Sequence, residues 1–264
     1  MEKIKTREEL RLIELEALKY IDDISKKNGL HCMLSGGTLL GAVRHKGYIP
    51  WDDDIDVMFL RSEYDQLICL INEDKSSHYK ALSYKSDSQY YYPFVKVVDT
   101  NTKVKETNRL SIENMGIGID VFPIDNLPDN EKQIEYQIKI LLKLRDVFDN
   151  LSNISPKMKA TENKITDVLY RLLLRFLAGF TNQISKAANH RKSEKVAVQV
   201  WGYGKKEIIE REHMNRVVNV EFEGNIYYAP KGYHTYLTNL YKDYMQLPPK
   251  SKQHNEHNAA AWRK

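Results

Sequence analysis

Four aspartates crowd one short stretch of this chain. The run Asp52-Asp53-Asp54-Ile55-Asp56-Val57 leads into an apolar segment ending at Leu60, and it follows a tight Ser35-Gly36-Gly37 turn, a short helical run from Thr38 to Arg44 and a basic loop. On a strand, alternate side chains share a face, so Asp54 and Asp56 are expected on one side and Ile55, Val57 and Phe59 on the other, in a core. Two carboxylates about 4 Å apart repel by about 4 kcal/mol at an effective dielectric of about 20. A divalent cation offsets that cost, and an oxygen-only donor set favours Mg²⁺ or Mn²⁺. The Gly-Gly turn ahead of a helix offers backbone N–H groups and the positive end of a helix dipole, which suit a phosphate. Metal and phosphate together point to phosphoryl-type transfer. Alone, D-x-D is commonly a solvated strand end and Gly-Gly a plain turn; their order within one stretch is the specific signal.

A further acid stands in Gly116-Ile117-Gly118-Ile119-Asp120-Val121-Phe122-Pro123. Burying a carboxylate without a partner costs several kcal/mol. A third metal ligand would explain Asp120; an edge-strand or helix-capping acid is the plainer alternative. Asp125, in the turn expected next, reads as structural. Lys96 alternates with Val95 and Val97, so it faces away from them, either into solvent or onto a phosphate in a cleft.

Gly-Gly turn, helix and D-x-D strand form the signature of the nucleotidyltransferase fold. The fuller string from Gly36 to Asp56, GGTLLGAVRHKGYIPWDDDID, resembles the LicD family, which includes bacterial phosphocholine transferases and is related to the eukaryotic fukutin-related ribitol-phosphate transferases. The Asp120 strand matches the strand that carries that family's third acid. The block from Pro230 to Pro249 resembles its C-terminal signature, P-x-G-Y-x-x-x-L followed by Y-G-D-Y-M-x-x-P, with Lys242 in place of the glycine. Lysine tolerates a left-handed conformation poorly, so the helix there is expected to run further. Lys252 or Gln253 stands where the family commonly carries an arginine, which puts any contact carried over to that position in doubt.

The resemblance implies an α+β fold: a nucleotidyltransferase-like mixed sheet flanked by helices, with a C-terminal helical and hairpin extension. It implies transfer of phosphocholine from CDP-choline to a sugar hydroxyl of a cell-surface glycan or its lipid-linked precursor, such as a teichoic acid or lipooligosaccharide, with release of CMP. Asp54, Asp56 and Asp120 are then the catalytic and metal-binding acids, for Mg²⁺ or Mn²⁺. Ser35, Gly36, Gly37 and Thr38 cradle the pyrophosphate, Arg44, His45, Lys46 and Lys96 add positive charge, and Trp51 shapes the loop before the acids. Asp52 acts behind them. Alternatives are a ribitol- or glycerol-phosphate donor, an ordinary nucleotidyltransferase, and a non-catalytic scaffold of glycan assembly.

Elements must position these residues. Thr6 and Glu9 form a capping box for a helix to Lys27, with Leu10, Ile13, Ala17, Ile21 and Ile24 as its stripe and Asn28-Gly29 as its stop. Leu30–Leu34 reads as a strand feeding the turn. Ser62 caps a helix. Extended segments follow near 79–84 and 92–98. A catalytic core over residues 1–128 is expected to give way to a helical and hairpin extension over 129–264. That part holds a long helix from Asn130 to Asn150, a boundary loop at Asp149–Pro156, an apolar helix near 166–180, a strand at Val196–Val200, and a hairpin around Glu223-Gly224-Asn225. Arg171 and Arg175 share a face of the apolar helix. It reads as a core helix with a solvated edge, or as an interfacial helix with snorkelling arginines that touches a membrane through residues 167–180.

Composition is that of a globular chain: 42% hydrophobic, 29% charged, net +4. The charge suits anionic substrates or a membrane surface, and no basic stripe interleaved with aromatics argues for nucleic acid. Cys32 and Cys69 lie in apolar runs and read as buried thiols of a reducing compartment. The N-terminus has no apolar signal core, so a cytoplasmic protein is expected, at the inner face of the membrane if the apolar helix touches lipid. The 17 tyrosines read first as packing, with no choline cage assignable. His254 and His257 sit in a polar tail and read as frayed terminus.

Overall fold

The computed structural model describes residues 1–106, 109–153, 164–254 and 259–264. The strands are β1 (Glu2–Lys3), β2 (Met33–Leu34), β3 (Asp56–Leu60), β4 (Tyr79–Leu82), β5 (Val95–Asp99), β6 (Thr102–Glu106), β7 (Gly118–Asn126), β8 (Lys195–Val198), β9 (Ile209–Glu210), β10 (Val217–Phe222), β11 (Asn225–Pro230) and β12 (Ala259–Arg263). The principal helices are α1 (Arg7–Lys27), α2 (Gly36–His45), α3 (Arg61–Glu73), α4 (Glu131–Ser152), α5 (Lys164–Ser185) and α6 (Tyr233–Tyr241).

A mixed sheet runs β10-β11-β2-β3-β7-β5-β4, with β8 added beside β7 and β9 beside β8. β3 pairs with β7 in parallel and β5 with β7 antiparallel. The hairpin β10–β11, far beyond residue 128, extends this same sheet through β11 and β2. A separate small sheet has the order β1-β12-β6. The α+β mixed sheet flanked by helices agrees with the sequence.

Alternation along the central strands divides two cores. Val57, Phe59, Ile119 and Val121 pack with Leu18 and Ile21 of α1 and Leu67 and Ile71 of α3. Phe122, from the other face of β7, packs with Phe94, Phe148 of α4, Leu174 of α5 and Trp201. Burial of each such large side chain contributes about 1.5–3 kcal/mol. β5 and β7 approach closely at Gly118, where a β-carbon would stand 2.1 Å from the Val97 carbonyl oxygen.

α1 starts as its sequence directs: the Thr6 hydroxyl accepts from the Glu9 N–H. The Glu9 carboxylate reaches back one residue beyond the usual capping box, to the Lys5 N–H. α3 begins at Arg61, directly off β3, so Ser62 lies inside its first turn and does not cap it. α4 is capped by Asn130, whose side chain accepts from the Lys132 and Gln133 N–H groups. α4 runs to Ser152, so the boundary loop expected from Asp149 starts later, and Ile154 to Pro156 lie outside the described residues, as does His257. Cys32 is buried, but Cys69 is exposed on α3, against expectation.

Two further expectations fail for physical reasons. Helix α6 does not run on; it ends at Tyr241, and Lys242 takes φ 64° and ψ −118°. That conformation costs a lysine on the order of 1–3 kcal/mol. Lys242→Gly is therefore expected to stabilise the protein by about 1 kcal/mol, after the gain in unfolded-chain entropy is subtracted, and to raise the melting temperature by about 2–4 °C in a thermal scan. On α5, Arg171 and Arg175 do not snorkel. Arg171 donates to the Gln89 and Ser111 carbonyls and Arg175 to that of Tyr84, which pins the helix to the domain. The opposite edge is apolar, not a solvated polar edge: Leu169, Leu172 and Phe176 are exposed there. Among the described residues, no helix is long and apolar enough to cross a membrane.

Candidate active site

The site is built across three adjacent strands. Asp56 opens β3 and stands opposite Asp120 in the parallel ladder; Asp120 stands opposite Lys96 in the antiparallel one. Directly paired residues share a sheet face, so the three side chains form one row on the face opposite α1 and α3. The Lys96 ammonium lies 2.7 Å from Asp120 Oδ1. Lys96 is thus ion-paired with the central acid and lines the cleft above it. Burial would lower its pKa, but Asp120 outweighs that and holds it above the ordinary lysine value.

Asp54 does not share β3 with Asp56, because the strand starts at Asp56 and Asp52 to Ile55 form the loop that enters it. The carboxylates remain electrostatically coupled. Burial first, then Asp54 and Asp120, push Asp56 well above the usual carboxylate range. Arg11 of α1 clamps the entering loop by donating to the carbonyls of Ile49, Pro50 and Asp52.

Helix α2 delivers its N-terminus to the same acids. A β-carbon on Gly36 would lie 3.6 Å from Asp56 Oδ2, and one on Gly37 would lie 3.0 Å from Asp52 Oδ2. Gly36 has φ 48°, which disfavours any larger residue. The first N–H groups of a helix have no partner within it, so donors and the positive dipole end face the carboxylates here. The Thr38 hydroxyl accepts from the Asp56 N–H at 2.8 Å and fixes the start of β3. The Ser35 hydroxyl is buried and faces Tyr236, 3.4 Å away.

The basic trio lies at the far end of α2, about 12 Å along the axis from Gly36 at 1.5 Å per residue. Arg44 donates to the carbonyls of Tyr244 and Gln246 and to His45 Nε2. Burial, then Arg44, lower the His45 pKa. Lys46 is the exposed left-handed cap of the helix. Trp51 packs edge-on to His45, with ring centroids 6.5 Å apart. The C-terminal block lies along α2: Tyr236 against Ser35, Tyr241 against Gly36, and the Tyr244 carbonyl against Arg44.

A cleft of about 430 Å³ opens over the acids, within the range of small-molecule sites. Asp53, Asp54, Lys96 and Asp120 line it. Sequence reasoning missed several of its other lining residues: Glu14, Tyr92, Phe94, Glu106, Arg109 and Trp201. Glu14 had left a signal, an acid four residues from Leu10 and from Leu18 on the buried stripe of α1. Burial, then Asp54, raise its pKa well above the usual range, and Tyr48 donates to it at 3.1 Å. Arg109 left none; it is placed by bonding the Tyr92 hydroxyl at 3.0 Å. Trp201 has φ 67°, a rare conformation for a bulky residue, and its ring packs on Phe94 and Phe148.

Among the described residues, no three His, Cys, Asp or Glu side chains converge on one point as ligands. Asp54, Asp56 and Asp120 offer oxygen donors only, the type a hard divalent cation takes, and burial with the neighbouring carboxylates raises Asp56.

The acid row on adjoining strands stands beside a glycine-opened helix. The family profile described as LicD/FKTN/FKRP, nucleotidyltransferase domain, matches residues 29–147. The lipopolysaccharide cholinephosphotransferase LicD of Haemophilus influenzae is 31% identical over 267 aligned positions, covering 97% of each chain. Uncharacterized proteins of Rickettsia typhi and Rickettsia prowazekii are each 38% identical over 61 positions, 23% of this chain. The chain belongs to the LicD family.

Proposed function

We propose that this protein transfers phosphocholine from CDP-choline to a sugar hydroxyl of a cell-surface glycan or its lipid-linked precursor, lipopolysaccharide being the acceptor class of its Haemophilus relative, and releases CMP. The observation that carries this reading is the Asp56–Asp120–Lys96 row facing the α2 N-terminus within a chain similar over nearly its whole length to a cholinephosphotransferase.

Gly36 and Gly37 offer backbone N–H groups to the pyrophosphate, close enough to the acids for both to act on one phosphate. Asp54, Asp56 and Asp120 would hold Mg²⁺ or Mn²⁺, which supplies charge neutralisation for the phosphate oxygens and the leaving CMP. Asp120, positioned by Lys96, orients the acceptor hydroxyl and takes its proton. Arg109 adds a cation at the cleft wall.

The choline end would meet aromatic and acidic side chains, with Arg109 already over the Tyr92 ring and Arg145 over the Trp201 ring. Tyr92, Phe94 and Trp201 line the cleft along with Glu106 and Asp120. Aromatic faces and carboxylates attract a quaternary ammonium, at about 0.5–2 kcal/mol per ring contact. Trp201→Ala is expected to raise KM for CDP-choline about tenfold while changing KM for CDP-glycerol little. Equal effects on both donors would remove Trp201 from choline recognition.

A further inference from the structure

Helix α5 presents an apolar stripe to the outside. Val168, Leu169, Leu172, Leu173, Phe176 and Phe180 are 43–68% exposed. At 100° per residue they fall within an arc of about 140°. Phe176 and Phe180 lie parallel, 6.4 Å between centroids and 4° between planes. The opposite side holds the helix in place: Leu174 and Ala178 are fully buried, and Asn182 donates to the Pro93 carbonyl. The stripe is thus presented by an anchored helix. So many large apolar residues on one exposed face mark a binding surface.

Charge selects the occupant. Residues 164–192 carry six Lys and Arg against Asp167 alone, a net +5, whereas the whole chain is only +4; Lys186 and Arg191 are ion-paired with Asp65 and Asp129 of other elements, so the uncancelled charge is smaller than this count. The rest of the molecule is therefore slightly acidic. Arg171 and Arg175 bond to backbone carbonyls, which leave their charge uncancelled. An apolar stripe on a basic, amphipathic helix fits an interfacial position among anionic headgroups. We propose that α5 seats this protein on an anionic lipid surface, with Leu172 and Phe176 near the centre of the buried stripe.

The inference goes beyond the donor and acceptor assignment and is tested apart from it. Purified protein is sedimented with vesicles of equimolar phosphatidylglycerol and phosphatidylethanolamine, and with phosphatidylcholine vesicles as the neutral control. The intact chain is expected to co-sediment with the anionic vesicles, less so at high salt. A Leu172→Ser, Phe176→Ser variant should lose at least about tenfold in vesicle affinity with an unchanged circular dichroism spectrum and unchanged turnover of a water-soluble acceptor. A Val168→Ser, Leu169→Ser variant should lose affinity in the same way. The proposal is overturned if the intact chain stays in the supernatant, or if both variants bind like the parent. It is equally overturned if the parent is a dimer that neither binds vesicles nor survives the substitutions as a dimer, since the stripe is then a self-interface. Loss of turnover with vesicle binding intact would count against the transferase reading alone.

Discussion

Asp56→Asn is expected to lower transfer by about a thousandfold or more, the several kcal/mol that an acid of a phosphate-transfer centre supplies through charge placement. The fold should survive. Asp56 is half-buried and crowded by Asp54 and Asp120, with Lys96 as the opposing charge, so the amide relieves repulsion. The variant should melt no lower than the parent in a metal-free buffer. Thr38 bonds the Asp56 backbone and not its side chain, so that contact persists. Loss of activity without loss of stability is the mark of a residue kept for chemistry. Turnover within a factor of a few of the parent would take Asp56 out of the catalytic centre. Asp54→Asn is expected to behave similarly, since Asp54 lines the cleft and raises Asp56.

The largest stability effect is expected at Asp125→Ala. Asp125 is fully buried at 0% exposure. Its two oxygens take Arg61 Nε at 2.7 Å and Nη2 at 2.6 Å, and Asn189 also donates to Oδ1 at 2.6 Å. Removing one member of a buried, hydrogen-bonded ion pair strands the other and costs about 3–5 kcal/mol. The bond joins β7, the strand that carries Asp120, to the start of α3 on the other face of the sheet. Urea denaturation should show the midpoint lowered by that free energy divided by m, with m unchanged. A loss below about 1 kcal/mol would mean that water reaches Arg61 and replaces the carboxylate.

The acid row was legible in the sequence because its chemistry is local. Asp56 and Asp120 each stand in short apolar strands where a carboxylate is conspicuous, and Gly36-Gly37 stands at a fixed distance before the first. Their pairing across β3 and β7 follows from a motif, since neither residue's surroundings in sequence name the other. Lys96 was placed in the right strand on the right face, but its partner depended on strand order, which sequence spacing does not give. Asp54 was read as a strand residue because D-x-D alternates; the strand in fact starts two residues later, where the Thr38 hydroxyl caps the Asp56 N–H.

Arg44, His45 and Lys46 were expected to add positive charge near the phosphate; a helix of ten residues carries them to its far end, where Arg44 ties down the C-terminal block. Glu14, Arg109 and Trp201 come from distant elements that meet only in the folded cleft, so no local pattern could join them. Lys242 was read through propensity alone. Tertiary contacts of Tyr236, Tyr241 and Tyr244 with α2 hold the chain in a turn that lysine disfavours.

The most direct test of the central claim is product analysis. Purified protein is incubated with CDP-choline, Mg²⁺ and an acceptor glycan, and the products are followed by phosphorus NMR and mass spectrometry. The account predicts CMP and a glycan heavier by phosphocholine, formed together and absent with Asp56→Asn. A nucleotidylated glycan, or release of pyrophosphate when CTP is supplied in place of CDP-choline, would contradict it and make the protein an ordinary nucleotidyltransferase.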